Sequence, residues 1–219
     1  MIFFIDSANL DEIKKATDLG FVNGVTTNPS LIAKEHVSGK NSILDHYKKI
    51  CELVNGEVSA EAISTKLKDI IEEGHQLAEI DNKIVVKIPI IEDGLKAIKY
   101  FSKKKIKTNC TLIFSTAQAL LAAKSGATYV SPFMGRIDDY NNTPLSSMEI
   151  VSDIKTIFQN YHYSTKILAA SIRSPKHIIE CAKIGTDVVT ASFTLLNSLI
   201  KHPLTDSGLK KFIDDYKNT

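Results

Sequence analysis

The chain has 219 residues, and its 27 basic side chains against 25 acidic ones leave a formal net charge of +2. Near neutrality provides no electrostatic attraction to nucleic acid or an acidic membrane, and a 43 % hydrophobic, 24 % charged composition excludes disordered and fibrous classes. Of the basic residues 25 are lysine, and only Arg136 and Arg173 are arginine.

Short apolar runs alternate with segments of helical periodicity along the whole chain. The runs predict strands at residues 2–6, 22–27, 58–62, 84–88, 106–110, 127–131, 166–170 and 187–190. The periodic segments predict helices at about 10–19, from 29 onward, and at 43–51, 67–77, 95–101, 117–123, 148–158, 175–184, 195–200 and 205–217. Asn9 with Glu12 at capping-box spacing opens the first of them, and Pro175 after Ser174 opens the one that ends at Gly185.

Eight strand–helix units with short connections are typical of a parallel sheet whose strands are apolar on both faces. Eight units favour an α/β fold of the (β/α)8 TIM-barrel type, here with an additional C-terminal helix, and an open doubly wound sheet is the alternative. No linker or low-complexity tract interrupts the chain. We therefore expect residues 1–219 to form one barrel domain.

The N-terminal residues, the cysteines and the histidines bear on the location of the protein and on metal binding. Residues 1–5 are apolar but too few for a signal-peptide core and lack a basic flank, so they predict a strand. No run approaches the roughly 18 apolar residues of a membrane span. Cys51, Cys110 and Cys181 are scattered, and neither they nor the six histidines have metal-ligand spacing. We expect a soluble, cytoplasmic protein with no metal site.

Polar residues stand at the ends of nearly all the predicted strands. In a parallel barrel the chemistry lies at the carboxyl ends of the strands, so these residues are the candidates for a site. They are Asp6; Thr26, Thr27 and Asn28; Glu61; Lys87; Asn109 and Thr111; Ser131; Ser171 and Arg173; and Thr190.

Lys87 lies in an apolar strand that should be buried on both faces. A buried ammonium is costly, which favours the neutral amine that attacks a carbonyl to form a Schiff base. The alternative is a lysine whose side chain extends to solvent at the strand end. Asp6 and Glu61 at neighbouring strand ends favour the first interpretation, because Schiff-base chemistry needs groups that move protons. Either carboxylate could instead be an ion-pair partner of Lys87 or a backbone cap.

The two arginines follow the sixth and seventh strands. Arg173, close to Ser171, precedes the helix that Pro175 opens, and barrels commonly bind phosphate at such helix N-termini. Arginine binds phosphate through two hydrogen bonds, whereas lysine acts as a point charge. Arg173 is therefore predicted to bind phosphate. Arg136 could do the same, or it could pair with Asp138 or Asp139.

Three motifs together resemble the transaldolase family. They are residues 25–30 (VTTNPS), 85–89 (VVKIP) and 131–137 (SPFMGRI). The chain is most similar to the small, single-barrel branch, which also includes fructose-6-phosphate aldolases, and the resemblance extends over essentially the whole chain.

The resemblance implies a role for each candidate. Lys87 would be the Schiff-base lysine, Asp6 would take the proton of the substrate C4 hydroxyl, and Glu61 would assist proton transfer through a water held with Thr111. The residues that would bind the dihydroxyacetone part of the sugar or line its site are Thr26, Asn28, Asn109, Ser131 and Phe133. Those that would bind the phosphate are Arg136, Ser171 and Arg173.

The resemblance also bears on the type of reaction. Its aldolase branch has glutamine on the third strand and tyrosine in the Ser-Pro-Phe position, whereas this chain has Glu61 and Phe133. A tyrosine hydroxyl could help to protonate and release the three-carbon enamine, and Phe133 cannot. This favours a transaldolase of the pentose phosphate pathway. It would move dihydroxyacetone from sedoheptulose 7-phosphate to glyceraldehyde 3-phosphate, giving erythrose 4-phosphate and fructose 6-phosphate.

Two alternatives stay open. One is a fructose-6-phosphate aldolase that releases free dihydroxyacetone, and the other is a sugar-phosphate-binding barrel without catalysis. In either case the partners are sugar phosphates, no cofactor is needed, and neither nucleic acid nor a membrane is expected. The resemblance further implies a homo-oligomer, a pentamer or a decamer, in which the C-terminal helix reaches a neighbour. The apolar stripe of that helix, Leu209, Phe212, Ile213 and Tyr216, would also suit packing on its own barrel.

Overall fold

The computed structural model describes residues 1–140 and 145–218. Within these residues eight parallel strands, β1 to β8, form a closed barrel in sequential order. The barrel closes because β1 pairs in parallel with β8 as well as with β2. The predicted (β/α)8 barrel with an additional C-terminal helix is therefore confirmed, and the open sheet is excluded.

The strands are β1 Ile2–Asp6, β2 Val22–Thr26, β3 Val58–Glu61, β4 Ile84–Pro89, β5 Thr108–Ile113, β6 Tyr129–Pro132, β7 Lys166–Ala169 and β8 Val188–Ala191. The helices are α1 Leu10–Asp18, α2 Pro29–Lys34, α3 Lys40–Leu53, α4 Leu67–Ala78, α5 Glu92–Lys103, α6 Thr116–Lys124, α7 Met134–Asp139, α8 Ser147–Asn160, α9 Pro175–Ile184, α10 Phe193–Ser198 and α11 Pro203–Lys217. None of the helices in the described ranges is long and apolar enough to cross a membrane.

The fifth strand begins later than its apolar pattern predicts. Ile106 donates its amide to the carbonyl of Phe101, and Lys105 between them has a positive φ of 59°. This 6→1 hydrogen bond after a left-handed residue caps the C-terminus of α5. Ile106 is consequently used to end the helix, and β5 starts at Thr108.

The apolar core has two parts. The larger part lies between the outer faces of the strands and the surrounding helices. A smaller cluster fills the barrel interior and is formed by Phe4, Val85, Tyr129, Leu168, Ala170 and Val188. A Cβ at Gly24 would lie 2.5 Å from the ring of Phe4, so glycine on β2 leaves room for that ring. The interior cluster closes the barrel beneath the ends of the strands.

Candidate active site

A polar layer lies directly above the apolar interior. Residues two apart on a strand share a face, so Asp6 follows Phe4 into the interior and Lys87 follows Val85. The same alternation turns polar side chains of the other strands toward this layer, among them Ser59, Glu61, Asn109, Ser131 and Thr190. With Thr26 of β2, which contacts Asp6, the structure thus brings candidates from seven strands together at one end of the barrel.

Lys87 is the buried centre of this layer. It is 4 % exposed, so it does not extend to solvent. Its Nζ lies 2.9 Å from Oε2 of Glu61 and donates to the carbonyl of Thr27 at 2.8 Å. Glu61 and Lys87 stand opposite each other on β3 and β4. Glu61 is therefore an ion-pair partner of Lys87, and it is also close enough to accept a proton from it.

Asp6 is the second carboxylate of the site. Burial raises the pKa of Asp6 above its usual range, while the positive charge of Lys87 and a hydrogen bond from Thr26 act in the opposite direction. The Thr26 hydroxyl donates to Oδ1 of Asp6 at 2.7 Å. A carboxyl group with these neighbours can take up a proton more readily than one in water.

Thr27 and Asn28 connect β2 to α2 beside Lys87. Oδ1 of Asn28 accepts the amide of Leu31 at 3.0 Å and caps the N-terminus of α2, which leaves its Nδ2 to donate elsewhere. The Thr27 hydroxyl lies 2.8 Å from the Ser59 carbonyl and 3.2 Å from the hydroxyl of Tyr47, a buried residue of α3. These contacts hold the Thr27 carbonyl in place beneath Lys87.

Asn109 and Ser131 form a buried pair on the neighbouring strands β5 and β6. The Ser131 hydroxyl donates to Oδ1 of Asn109 at 2.7 Å, and Nδ2 of Asn109 donates to Ser59 at 3.2 Å. The side chain of Ser59 lies in the middle of β3, two residues before Glu61. Sequence reasoning that considered only the strand ends missed it.

Thr111 ends the polar face of β5. Its Oγ1 is buried and has no hydrogen-bond partner in the described part of the chain. The next residue, Leu112, has a positive φ of 60°, and the pairing of β5 with β6 shifts register there. Cys110 lies between Asn109 and Thr111, and burial raises the pKa of its thiol to about 12. It is therefore a neutral, apolar neighbour of the site.

The aromatic ring of Phe133 lies near both Lys87 and Arg136. Nζ of Lys87 is 6.0 Å from the ring centroid, and Cζ of Arg136 is 5.2 Å from it. Asp138 and Asp139, the partners considered for Arg136, contact other residues. Asp138 lies 3.2 Å from Nε2 of His177, and Asp139 pairs with Arg173.

Arg173 lies in the loop after β7, near the first turn of α7. The amide of Gly135 donates to the carbonyl of Ser171 at 2.9 Å, which holds this loop against α7. A Cβ at Gly135 would lie 2.5 Å from Cγ of Arg173 and 2.5 Å from the Ser171 carbonyl oxygen. Nη2 of Arg173 lies 2.7 Å from Oδ2 of Asp139, and more than half of each side chain is exposed.

The chain matches a known family over almost all of its length. The profile described as Transaldolase/Fructose-6-phosphate aldolase matches residues 3–219. The chain belongs to the transaldolase/fructose-6-phosphate aldolase family. Relatives named probable transaldolase come from Cytophaga hutchinsonii at 59 % identity, Bacteroides thetaiotaomicron at 56 % and Porphyromonas gingivalis at 54 %. Each alignment covers 99 % of this chain, and it covers 98 %, 98 % and 97 % of the respective relatives.

Membership in the transaldolase family confirms the resemblance, and it makes this barrel an enzyme of that family. The family name covers both transfer and aldol cleavage, so the geometry around Lys87 and Phe133 is the basis for choosing between them.

Proposed function

We propose that this protein is a transaldolase that transfers a dihydroxyacetone unit between sugar phosphates through a Schiff base on Lys87. The observation that supports this most strongly is the buried Nζ of Lys87, 2.9 Å from Glu61, in the same polar layer as the half-buried carboxyl of Asp6. A binding protein without catalysis would have no need for an amine that is withdrawn from solvent and paired with a base.

The first step is attack of Lys87 on the C2 carbonyl of the ketose phosphate. Lys87 must lose a proton to become nucleophilic, and Glu61 is positioned to accept it. The carbinolamine formed then loses its hydroxyl as water, and the proton for this departure comes from Glu61, through a water held with Thr111. The product is an iminium ion on Nζ.

The second step is cleavage of the C3–C4 bond. Asp6 takes the proton of the C4 hydroxyl, the aldose phosphate leaves, and the electron pair of the broken bond moves to the iminium to give an enamine. The acceptor aldehyde is then attacked by C3 of the enamine, and Asp6 returns the proton to the new hydroxyl. Hydrolysis of the resulting iminium frees Lys87. Asn28, Asn109 and Ser131 are proposed to bind the dihydroxyacetone hydroxyl groups.

Phe133 favours transfer over release of free dihydroxyacetone. Its ring lies 6.0 Å from Nζ of Lys87. A phenyl ring has no proton to give to the enamine carbon. The enamine therefore persists until an acceptor aldehyde arrives.

The phosphate is proposed to bind between Arg136 and Arg173, with Ser171 beside them. The ion pair of Arg173 with Asp139 is exposed, and exposed ion pairs contribute little stability. A phosphate that accepts hydrogen bonds from both guanidinium groups can therefore displace Asp139 from Arg173. Binding there would hold the end of the sugar far from the carbon bonded to Lys87.

The decisive assay supplies fructose 6-phosphate with erythrose 4-phosphate. Formation of sedoheptulose 7-phosphate and glyceraldehyde 3-phosphate, with little free dihydroxyacetone, is the expected result. Release of dihydroxyacetone as fast as transfer would instead identify a fructose-6-phosphate aldolase. The absence of both reactions, with fructose 6-phosphate still bound, would favour the non-catalytic barrel.

Replacement of Gly135 by alanine tests the phosphate site. Its Cβ would displace both Arg173 and the Ser171 carbonyl, and the loss of charge-assisted hydrogen bonds at the proposed phosphate site is expected to raise the KM for fructose 6-phosphate about 10- to 100-fold. Gly208→Ala is the matched control, because a Cβ at Gly208 meets no atom of the chain within 4 Å. An unchanged KM in Gly135→Ala would place the phosphate elsewhere.

We further propose that the protein is a homo-oligomer, a pentamer or a decamer, assembled through α11. Within the described residues no side chain of Pro203–Lys217 is buried. The apolar stripe of this helix is exposed, with Leu209 58 % and Phe212 71 % exposed. The exposure of this stripe favours contact with a neighbouring chain over packing on the helix's own barrel, because a contiguous apolar surface of this kind is typical of an interface.

Phe212→Glu is expected to break the assembly, because a charge would then lie in the apolar contact. Sedimentation velocity should show smaller species than the wild type at the same concentration. Lys211→Glu, on the polar face of the same helix, should leave the sedimentation coefficient unchanged. A wild-type protein that sediments as a monomer would refute the assembly.

The proposed reaction belongs to the pentose phosphate pathway, in the cytoplasm, and needs no cofactor beyond the sugar phosphates. Cys51, Cys110 and Cys181 are buried free thiols, which suits a reducing compartment. We also propose that the whole chain acts as one barrel domain, since residues from β1 to the loop after β7 contribute to one site.

A further inference from the structure

We infer that Thr190 is a positioning residue for Asp6, acting through the hydroxyl of Thr26. The inference rests on the proposed function, in which Asp6 takes and returns the C4 hydroxyl proton. Oγ1 of Thr26 lies 2.7 Å from Oδ1 of Asp6 and 2.6 Å from Oγ1 of Thr190. The three side chains thus form a continuous chain across β8, β2 and β1.

The direction of these hydrogen bonds follows from counting protons. An ionised carboxylate can only accept, so the single hydroxyl proton of Thr26 is donated to Asp6. Thr26 then has no proton left for Thr190, and the 2.6 Å contact requires Thr190 to donate to Thr26. Each donor polarises the next one, so the hydrogen bond that reaches Asp6 is stronger than Thr26 alone would make it.

The hydrogen bonds from Thr190 to Thr26 and from Thr26 to Asp6 are held in place by the pairing of the barrel strands. Thr26 stands opposite Asp6 in the pairing of β1 with β2, and Thr190 stands opposite Phe4 in the pairing of β1 with β8. Thr26 and Thr190 are only 2 % and 1 % exposed. The hydroxyl groups therefore keep one arrangement, and solvent does not compete with them.

The hydrogen bonds from Thr190 through Thr26 stabilise the carboxylate form of Asp6. Burial disfavours that form and raises the pKa of Asp6. Lys87 from β4 and Thr26 from β2 stabilise the carboxylate and so lower the pKa. Glu61 on β3 acts indirectly, because it shares the charge of Lys87. Loss of the Thr190 donor weakens the Thr26 hydrogen bond and raises the pKa of Asp6 further. The fraction of enzyme with an ionised base at a given pH then falls.

Thr190→Val removes the hydroxyl but keeps the branched shape, and Thr190→Ser restores the hydroxyl. In the valine variant we expect kcat for transfer to fall about tenfold with an unchanged KM, and the acidic limb of the pH–rate profile to move to higher pH. The serine variant should retain most of the rate. Thr108→Val is the matched control, since the Thr108 hydroxyl is buried on β5 and has no partner among the described residues.

A second measurement does not depend on turnover. The titration of the Asp6 carboxyl is followed by carbon NMR, with its signal assigned by its loss in Asp6→Asn. A higher titration midpoint for Asp6 in Thr190→Val than in wild type or Thr190→Ser supports the inference. Failure of the wild type to transfer dihydroxyacetone would refute the proposed function but would not change this result. An unchanged midpoint overturns the inference. So would a rate loss in Thr190→Val that serine does not restore.

Discussion

Lys87→Met is expected to lower the transfer rate by at least about a thousandfold, because a thioether cannot form the Schiff base that is proposed for both half-reactions. Borohydride reduces iminium ions, so when it is added with fructose 6-phosphate it should reduce the three-carbon iminium that forms when C3 of the enamine slowly takes a proton from solvent. The product is a three-carbon adduct on Lys87, which mass spectrometry of the digested protein locates. The methionine variant should gain no adduct. Its affinity for fructose 6-phosphate, measured by calorimetry, should change only modestly if the arginines provide most of the binding.

The ion pair of Lys87 with Glu61 complicates this variant, because methionine leaves a carboxylate of 14 % exposure without its partner. The double variant Lys87→Met, Glu61→Gln removes both charges and serves as the folding control. Both proteins should be inactive, and the double variant should be the more stable on thermal unfolding. Full activity in either one would disprove the mechanism.

Asp6→Asn should stop the reaction at a different stage. Asparagine cannot accept the proton of the C4 hydroxyl, so cleavage is expected to slow by about 100- to 10,000-fold while Schiff-base formation continues. Borohydride should then leave an adduct with all six carbons of fructose 6-phosphate on Lys87, in place of the three-carbon adduct. Asp139→Asn, outside the polar layer, should still give the three-carbon adduct. A three-carbon adduct formed at the wild-type rate in Asp6→Asn would assign the base to another group.

The same variant has a predictable effect on stability. Because burial raises the pKa of Asp6 above its value in the unfolded chain, the ionised carboxylate costs folding free energy at neutral pH. The cost is complete above the folded-state pKa and vanishes as the pH falls below the unfolded-state value. Asp6→Asn should therefore unfold at the same or a higher temperature at pH 7, and the difference should disappear in acid. A lower melting temperature at pH 7 would contradict this reasoning.

The fold could be predicted from the sequence because each strand is an apolar run, and because the helices show apolar periodicity and residues that begin or end a helix. Ser174, Pro175 and Gly185 mark one helix completely, and the structure has Ser174 as N-cap and Gly185 in the left-handed conformation after the last turn. The short helix α7 was not predicted as a helix. Its six residues follow a strand directly and are too few for a period to show.

The site could be predicted where the chemistry of a residue limits its environment, or where a polar residue stands at the end of a strand. A lysine inside an apolar strand and carboxylates at strand ends are conspicuous, and the structure places Lys87, Glu61 and Asp6 in one layer. The contacts that orient them could not be predicted, because Ser59, Tyr47 and Thr190 are ordinary residues of strands and helices. Their partners are far away along the chain. Whether Arg136 pairs with an aspartate also depends on packing, and the aspartates contact His177 and Arg173 instead.

The ring of Phe133 has a consequence for substrate choice. The ring centroid lies 6.0 Å from Nζ of Lys87, the nitrogen proposed to bond to the sugar, and 5.2 Å from Cζ of Arg136, which is proposed to bind the phosphate. The separation of these two atoms therefore cannot exceed the two ring distances taken together. A ketose phosphate must span this gap with its carbon backbone. On the proposed roles, the position of Phe133 limits how far six-carbon and seven-carbon ketose phosphates alike must reach to contact both groups.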